Sequence, residues 1–199
     1  MSTEQTTAES RLSRHRILFI VLGLLLLSAT AWFFWQAGQG GSAAPSGLPG
    51  VELSETTGTR PGQVAPEFTA STLDGGTFSL AEQRGRPTII FFMAYWCGTC
   101  IPESQALAQL KEEYGDSVRI VAIDVDPSST PQALRQFKSA AGNGAFVWAF
   151  DKEQQAVAAY QVRTLDTTFI LDAEGHVVYR DSSPTPYDVL QETLTQLGL

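Results

Sequence analysis

Two cysteines, Cys97 and Cys100, are the residues best suited to chemistry in this 199-residue chain, and they are its only cysteines. They follow a hydrophobic run and precede a segment with the composition of a helix. A thiolate is the reactive form of cysteine, and the partial positive charge at a helix N-terminus stabilises that anion. Cys97, the first and the one predicted to be more exposed, would attack a disulfide. Cys100, one helical turn further on, would resolve the mixed disulfide that forms.

Two other uses of this cysteine pair stay open from the residues alone. A static disulfide would close a loop of four residues, which is worth about 2 kcal/mol in the loop-entropy account, and it would join no two elements. A tetrahedral metal site would need further ligands, and the chain has two histidines, His15 in a basic segment and His176 after a predicted hairpin turn. A redox dithiol is the favoured hypothesis, because the pair follows a strand and opens a helix.

The elements around the cysteines alternate between strand and helix. Residues 87–93, PTIIFFM, form a continuous run of β-branched and aromatic residues that is typical of a buried central strand. Residues 98–114 are predicted to form the next helix, and residues 118–125 a second buried strand. The cysteines would then lie at the carboxyl end of a central strand, where the sites of open α/β sheets gather.

Together with the elements just described, the remaining predicted elements give a β-hairpin followed by the order β-α-β-α-β-α-β-β-α. These strands are 68–71, 77–79, 145–150, 167–172 and 176–180, and these helices are 131–140, 153–160 and 186–197. Ser129 or Thr130 is predicted to cap the helix that begins at residue 131. The alternation predicts an α/β fold with a central mixed β-sheet flanked by helices and an N-terminal β-hairpin.

The segment before this domain is predicted to be a transmembrane anchor. Residues 17–35 contain no charged residue, and a helix of that length would span about 28 Å, close to one hydrocarbon core. Three arginines precede the segment, so the positive-inside bias places residues 1–16 in the cytoplasm and the domain outside it. A cleaved signal peptide is the alternative, because Ala29 and Ala31 would form a small-residue cleavage site.

The region between anchor and domain, residues 36–60, is predicted to be a flexible linker, because its first part is rich in Gly, Ser, Ala and Pro. The domain would occupy residues 61–199. The net charge is −8, and Lys and Arg are not clustered as a nucleic-acid-binding surface requires. The sequence therefore predicts a single-pass membrane protein with an extracytoplasmic domain and no nucleic-acid partner.

The residues as a whole resemble the membrane-anchored thioredoxin-fold disulfide reductases of the TlpA/ResA type, within the redoxin superfamily. The resemblance covers about residues 60–197 and depends on WCGTC, on the opening APEF and on the block TTFILDAEG. It implies a thioredoxin-like fold and a protein disulfide oxidoreductase without a cofactor. Its substrates would be disulfides of partner proteins, such as apocytochromes c or copper-site proteins, and its electrons would come from a membrane thiol transporter of the CcdA/DsbD type.

The same resemblance implies roles for residues around the two cysteines, with the first as nucleophile and the second as resolving cysteine. Trp96 would shield the active-site face, and Gly98 and Thr99 complete the motif between the cysteines. Glu103 matches an acidic residue of the family three places past the second cysteine, and it is predicted to lie on the helix surface. An ordinary first-turn glutamate, favoured by the helix dipole, is an equally good interpretation of it.

The chain departs from the family pattern in the loop expected to face the cysteines. Relatives usually carry a cis-proline before their TTF segment, whereas here Leu165 and Asp166 precede Thr167, and Asp166 stands at the proline position. A cis bond before another residue costs about 3–4 kcal/mol, so a trans peptide is predicted. A carboxylate near the sulfurs would disfavour the thiolate, relay a proton or add a metal ligand. The alternative is a rearranged loop with Asp166 turned to solvent.

Two further hypotheses about function follow from these residues, and one related activity is excluded. A thioredoxin-fold metal chaperone would bind copper or zinc through the two cysteines and, in one version, Asp166. A non-catalytic adaptor would retain the pair as a relic. A peroxiredoxin would need the frame Pro-x-x-x-Thr-x-x-Cys, and neither cysteine has it, since Ala94 and Ile90 stand at the required positions before the first cysteine. Peroxidase activity is therefore not expected.

Overall fold

In the computed structural model of this chain, residues 56–199 are described, and their strands form one mixed seven-stranded sheet. The strands are β1 Thr69–Thr72, β2 Thr77–Ser79, β3 Thr88–Met93, β4 Arg119–Asp124, β5 Val147–Phe150, β6 Thr167–Leu171 and β7 Val177–Arg180. They lie in the order β2-β1-β5-β4-β3-β6-β7. Strand β3 runs parallel to β4 and antiparallel to β6, so it occupies the interior of the sheet.

Four α-helices connect or follow the strands. They are α1 Cys100–Tyr114, α2 Pro131–Ala140, α3 Gln155–Ala159 and α4 Tyr187–Gln196. Helix α1 ends at Gly115, whose φ of 55° lies in the left-handed region that glycine adopts without a Cβ clash. Helix α2 begins after Thr130, whose hydroxyl oxygen accepts a hydrogen bond from the backbone N–H of Ala133 at 3.2 Å.

The core lies on both faces of the sheet, and β3 supplies residues to each. Ile89, Phe91 and Met93 belong to one hydrophobic cluster, and Ile90 and Phe92 belong to the other. Because apolar side chains cover both faces, every residue of β3 is buried, as a continuous apolar run predicts. This burial fixes the end of β3, and therefore the loop that carries the cysteines.

The predicted fold class, an α/β fold with a mixed sheet flanked by helices and an N-terminal hairpin, is confirmed. Helix α2 and strand β2 have the predicted bounds, and the other elements differ from prediction by one or two residues at an end. Helix α1 begins at Cys100 rather than at residue 98. The cause is a turn before it, in which the N–H of Cys100 donates to the carbonyl of Cys97 at 3.2 Å.

The predicted N-terminal segments 1–16 and 17–35 lie outside the described residues, as does most of the predicted linker. Within residues 56–199, no helix combines the length and apolar character needed to cross a membrane. The last residues assigned to the linker contact the domain. Thr57 forms a bridge with Val64, and the N–H of Gly58 donates to the carbonyl of Val64 at 2.9 Å. In the structure, packing of the domain therefore begins before residue 61.

Candidate functional site

The two cysteines lie where β3 passes through a short loop into α1, and they form a disulfide in the structure. The loop is held by backbone hydrogen bonds, since the N–H of Cys97 donates to the carbonyl of Ala94 at 2.8 Å. Cys97 retains 5% of its surface and Cys100 none, so the first cysteine is the more accessible, as predicted. The arrangement allows a partner to reach Cys97 while Cys100 stays behind it in the core.

Trp96 stands out from this loop, with 61% of its surface exposed. Its indole Nε1 donates a hydrogen bond to Asp126 Oδ2 at 2.6 Å, which ties the ring to the loop after β4. Beside it, a groove of about 250 Å³ is lined partly by Ile101 and Phe137 and reaches Cys97. Gly98 is exposed at the groove as well. Trp96 thus lies on the face predicted for it, next to an apolar contact surface.

Asp166 faces the disulfide from the opposite loop. Strand β6 pairs with β3 so that Thr167 lies opposite Phe92, which brings the residue before Thr167 to the end of β3. Asp166 is 4% exposed, and its Oδ2 lies 3.8 Å from Cys97 Sγ. The interpretation that turned Asp166 to solvent is therefore wrong, because strand pairing carries its side chain inward. Leu165, half-buried beside it, packs against the core.

The backbone at Asp166 has no proline to shape it and takes a different conformation. The described residues contain no cis peptide bond, which confirms the predicted trans peptide, and Asp166 has a φ of 56°. This left-handed conformation is uncommon outside glycine, but aspartate is among the residues that tolerate it. The conformation directs the carboxylate towards Thr99, whose hydroxyl donates to Asp166 Oδ2 at 2.8 Å.

Three effects act on the pKa of the Asp166 carboxyl, and their net result is to raise it. Burial raises the pKa of this carboxyl, the hydrogen bond from Thr99 opposes that effect, and the charge of Asp181 raises the pKa further. The second oxygen, Oδ1, is buried and has no hydrogen-bond partner. The Thr99 hydroxyl oxygen also lies 3.3 Å from Cys97 Sγ. The sulfur is thus next to a carboxyl group that can hold or release a proton.

Glu103 is not on the helix surface, and the prediction that placed it there is wrong. It is 2% exposed, and its carboxylate accepts hydrogen bonds from Thr168 Oγ1 at 2.5 Å and from the backbone N–H of Thr185 at 2.9 Å. Burial raises the pKa of Glu103 from an ordinary 4.5 to about 7. The sequence carried a signal for this position, because Glu103 shares one face of α1 with the buried residues Leu107 and Leu110.

A further buried carboxyl group, which the sequence did not predict, lies on the other side of the cysteine loop. Asp124 ends β4, directly opposite Met93 at the end of β3, and it is fully buried. Ser129 Oγ donates to its Oδ2 at 2.5 Å, and burial raises the pKa of Asp124. A charged residue at the end of an apolar parallel strand is a recognisable signal, because neighbouring parallel strands end at the same edge.

The chain is similar in sequence and fold to known thiol–disulfide proteins. Residues 61–180 match the sequence profile of the AhpC/TSA family. Thioredoxin-like protein YneN of Bacillus subtilis is 28% identical in an alignment that covers 78% of this chain and 82% of YneN. Thiol-disulfide oxidoreductase ResA of Bacillus anthracis is 29% identical in an alignment that covers 84% of this chain and 88% of ResA. A secreted disulfide oxidoreductase of Mycobacterium tuberculosis, homologous to E. coli DsbE, superposes with a TM-score of 0.58 at 26% identity, covering 65% of this chain and 95% of its own. The predicted thioredoxin-like fold is therefore confirmed.

The buried carboxyl of Glu103 should make folding stability depend on pH. Because its pKa is about 7 in the folded chain and 4.5 ordinarily, the folded state binds more protons between these values, and the free energy of unfolding falls as pH rises through that window. Glu103→Gln mimics the protonated form. It should remove about 3 kcal/mol of this pH dependence and leave the chain more stable than wild type at pH 8.

This pH dependence can be measured by urea unfolding of the oxidised full chain in mild detergent, at pH values from 4 to 8. Glu112→Gln, at an exposed position of the same helix, serves as the matched control and should keep the wild-type slope. Asp124 and Asp166 leave a residual slope in every variant. An unchanged slope in Glu103→Gln would show that Glu103 is ionised in the folded chain with an ordinary pKa.

Proposed function

We propose that this chain, which belongs to the AhpC/TSA family, is a thiol–disulfide oxidoreductase that reduces disulfides of partner proteins outside the cytoplasm. The observation that carries the proposal is the disulfide itself. Cys97 and Cys100 are bonded at the carboxyl edge of a parallel strand pair, with Cys97 open to a groove and Cys100 buried behind it. A bond that closes four residues adds little to stability, so chemistry is the better explanation for it.

The reaction is an exchange of two electrons through sulfur. In the reduced chain, the Cys97 thiolate attacks one sulfur of the partner disulfide, which forms a mixed disulfide and releases one partner thiolate that takes up a proton. The Cys100 thiol then loses its proton and attacks Cys97 Sγ. This step forms the Cys97–Cys100 disulfide and releases the second partner thiol. The partner gains two electrons, and a dithiol donor must reduce the pair again.

The carboxyl of Asp166 favours the reducing direction of this exchange. When it is ionised, 3.8 Å from Cys97 Sγ, it disfavours the thiolate through like-charge repulsion. A reduced form that is destabilised in this way gives up its electrons more readily, whereas a strong oxidant of this fold has a stabilised reduced form. The hydroxyl of Thr99 supports this effect, because its hydrogen bond to Asp166 Oδ2 stabilises the ionised carboxylate.

Asp166 also offers a place for the proton of Cys97. The carboxyl oxygen lies 3.8 Å from the sulfur, so in the reduced chain a proton has a short path between the two groups. Attack by Cys97 requires the thiolate, and Asp166 can accept the proton that the thiol loses. The return of that proton to Cys97 completes the cycle when the donor reduces the disulfide. Asp166 is thus proposed as the acid–base group of the site.

The surface around Cys97 suits a protein partner rather than a small molecule. The groove beside the exposed ring of Trp96 is shallow, and apolar side chains such as Ile101 and Phe137 line part of it. Cytochrome c or copper-site maturation proteins are the proposed substrates, and a CcdA/DsbD-type transporter is the proposed donor. The similarity to ResA and to a secreted oxidoreductase supports this proposal. Residues 17–35 would hold the domain at the outer face of the membrane.

Reduction of peroxides is a poorer fit to this site. The positions three and seven residues before Cys97 carry Ala94 and Ile90, both buried and apolar. Neither can donate a hydrogen bond to a peroxide oxygen. The groups that do face Cys97 are a carboxyl and its hydroxyl partner, which suit proton transfer to and from sulfur.

Substitution of the two cysteines should separate attack from resolution. The reduced full chain should reduce insulin disulfides with dithiothreitol as donor, and Cys97→Ser should lower the rate to background. Cys100→Ser should also stop turnover, but it should accumulate a mixed disulfide at Cys97 that is visible on a non-reducing gel. Trapping at Cys100 in the Cys97→Ser variant instead, or turnover without Cys97, would contradict the assigned roles.

The proposed location can be tested because the chain has two cysteines in all. Intact spheroplasts that make the full chain are first treated with a reductant and then with a membrane-impermeant maleimide. The maleimide should label the wild-type chain as fully as it does after the spheroplasts are lysed. The variant lacking both cysteines serves as the control and should stay unlabelled. Labelling that appears only after lysis would place the domain in the cytoplasm and refute this part of the proposal.

A further inference from the structure

We propose that the reduced chain binds a divalent thiophilic ion of the Zn²⁺ class through Cys97 Sγ, Cys100 Sγ and a carboxylate oxygen of Asp166. These three side chains are all buried, and their ligand atoms lie within 4.8 Å of one another. Two thiolates and a carboxylate are ligands that Zn²⁺ accepts in proteins. The proposal goes beyond disulfide exchange, and it does not require that a partner protein ever binds.

The distances fit such a site. With metal–sulfur bonds of about 2.3 Å and metal–oxygen bonds of about 2.0 Å, a tetrahedral ion would separate a sulfur ligand from an oxygen ligand by about 3.5 Å. Asp166 Oδ2 is already 3.8 Å from Cys97 Sγ. The two sulfurs are joined at present, and they need only move apart to about 3.8 Å once the disulfide is reduced.

The second observation is the unsatisfied oxygen of Asp166. Its Oδ1 is buried without a hydrogen-bond partner, although the residue is 4% exposed. A buried polar atom without a partner costs free energy and calls for an explanation such as an ion. The other oxygen, Oδ2, accepts a hydrogen bond from Thr99 at 2.8 Å, which holds the carboxylate beside Cys97 Sγ as outer partners orient metal ligands and leaves Oδ1 to bind the ion.

The donor set selects among thiophilic ions. Cu(I) prefers soft sulfur ligands and would gain little from a carboxylate, whereas Zn²⁺ is borderline and takes sulfur and oxygen together. Asp166 is thus the residue that distinguishes the two. Three protein ligands leave a fourth position, which a water molecule or a ligand from a partner would fill. A proline at this position would supply no side-chain oxygen, so the site depends on the aspartate.

Metal binding and the disulfide exclude each other, because both use the same two sulfurs. The disulfide must first take two electrons and two protons from a dithiol donor, which is itself oxidised to a disulfide. Binding then displaces the two protons, and the ion must leave before Cys97 and Cys100 can bond again. An ion that binds the reduced form alone stabilises it, and it therefore raises the midpoint potential of the pair.

The test is a titration of the full chain with Zn²⁺ against a chromophoric chelator at pH 7. The reduced chain should bind one ion, and the oxidised chain should bind none. Asp166→Asn should weaken the affinity of the reduced chain at least tenfold. Asp126→Asn is the matched control, because it removes a carboxylate that accepts a hydrogen bond from Trp96 beside the cysteines but is not a proposed ligand. It should change the affinity for Zn²⁺ less than twofold.

A second measurement keeps the proposal testable if Asp166→Asn does not fold. With free Zn²⁺ at a hundredfold the dissociation constant, the midpoint potential of the wild-type pair should rise by about 59 mV. The proposal is overturned if Zn²⁺ leaves the potential unchanged or if the oxidised chain binds equally well. It is also overturned if a folded Asp166→Asn keeps its affinity, or if Cu(I) binds while Zn²⁺ does not.

Discussion

The contact between a buried carboxyl group and the reactive sulfur is the constraint on which the site depends. Asp166 Oδ2 lies 3.8 Å from Cys97 Sγ for two reasons. Strand β6 pairs with β3, and the left-handed backbone conformation of Asp166 directs its side chain inward. The helix that begins at Cys100 supplies partial positive charge to the same sulfur. The thiolate is therefore subject to two opposed fields, and the balance between them sets how readily the dithiol gives up electrons.

Burial of acidic groups is a general feature of this edge of the sheet. Asp124 and Glu103 lie on either side of the cysteine loop and, like Asp166, have pKa values raised by burial. Each is held by hydroxyl or backbone donors, such as Ser129 for Asp124. Of the three, Asp166 is the carboxyl group that lies 3.8 Å from Cys97 Sγ, where a group with a raised pKa is suited to exchange a proton with sulfur.

The sequence was sufficient for the strands, the helices and the cysteine pair, because these follow from local patterns of apolar residues and turns. It failed where the outcome depends on contacts between distant segments. Glu103 accepts a hydrogen bond from Thr185, 82 residues away, and nothing local to Thr185 predicts that contact. The orientation of Asp166 likewise depends on the register between β3 and β6. For Glu103, the spacing to Leu107 gave a usable signal, since it shares the buried face of the helix.

The midpoint potential of the pair, measured against dithiothreitol in the presence of a metal chelator, decides whether the Asp166 carboxyl acts on the reactive sulfur. The wild-type chain should be a reductant with a potential below about −200 mV, and Asp166→Asn should be less reducing because the repelling charge is gone. Asp126→Asn should keep the wild-type value. An Asp166→Asn potential equal to or lower than that of wild type would contradict the role of this carboxyl group.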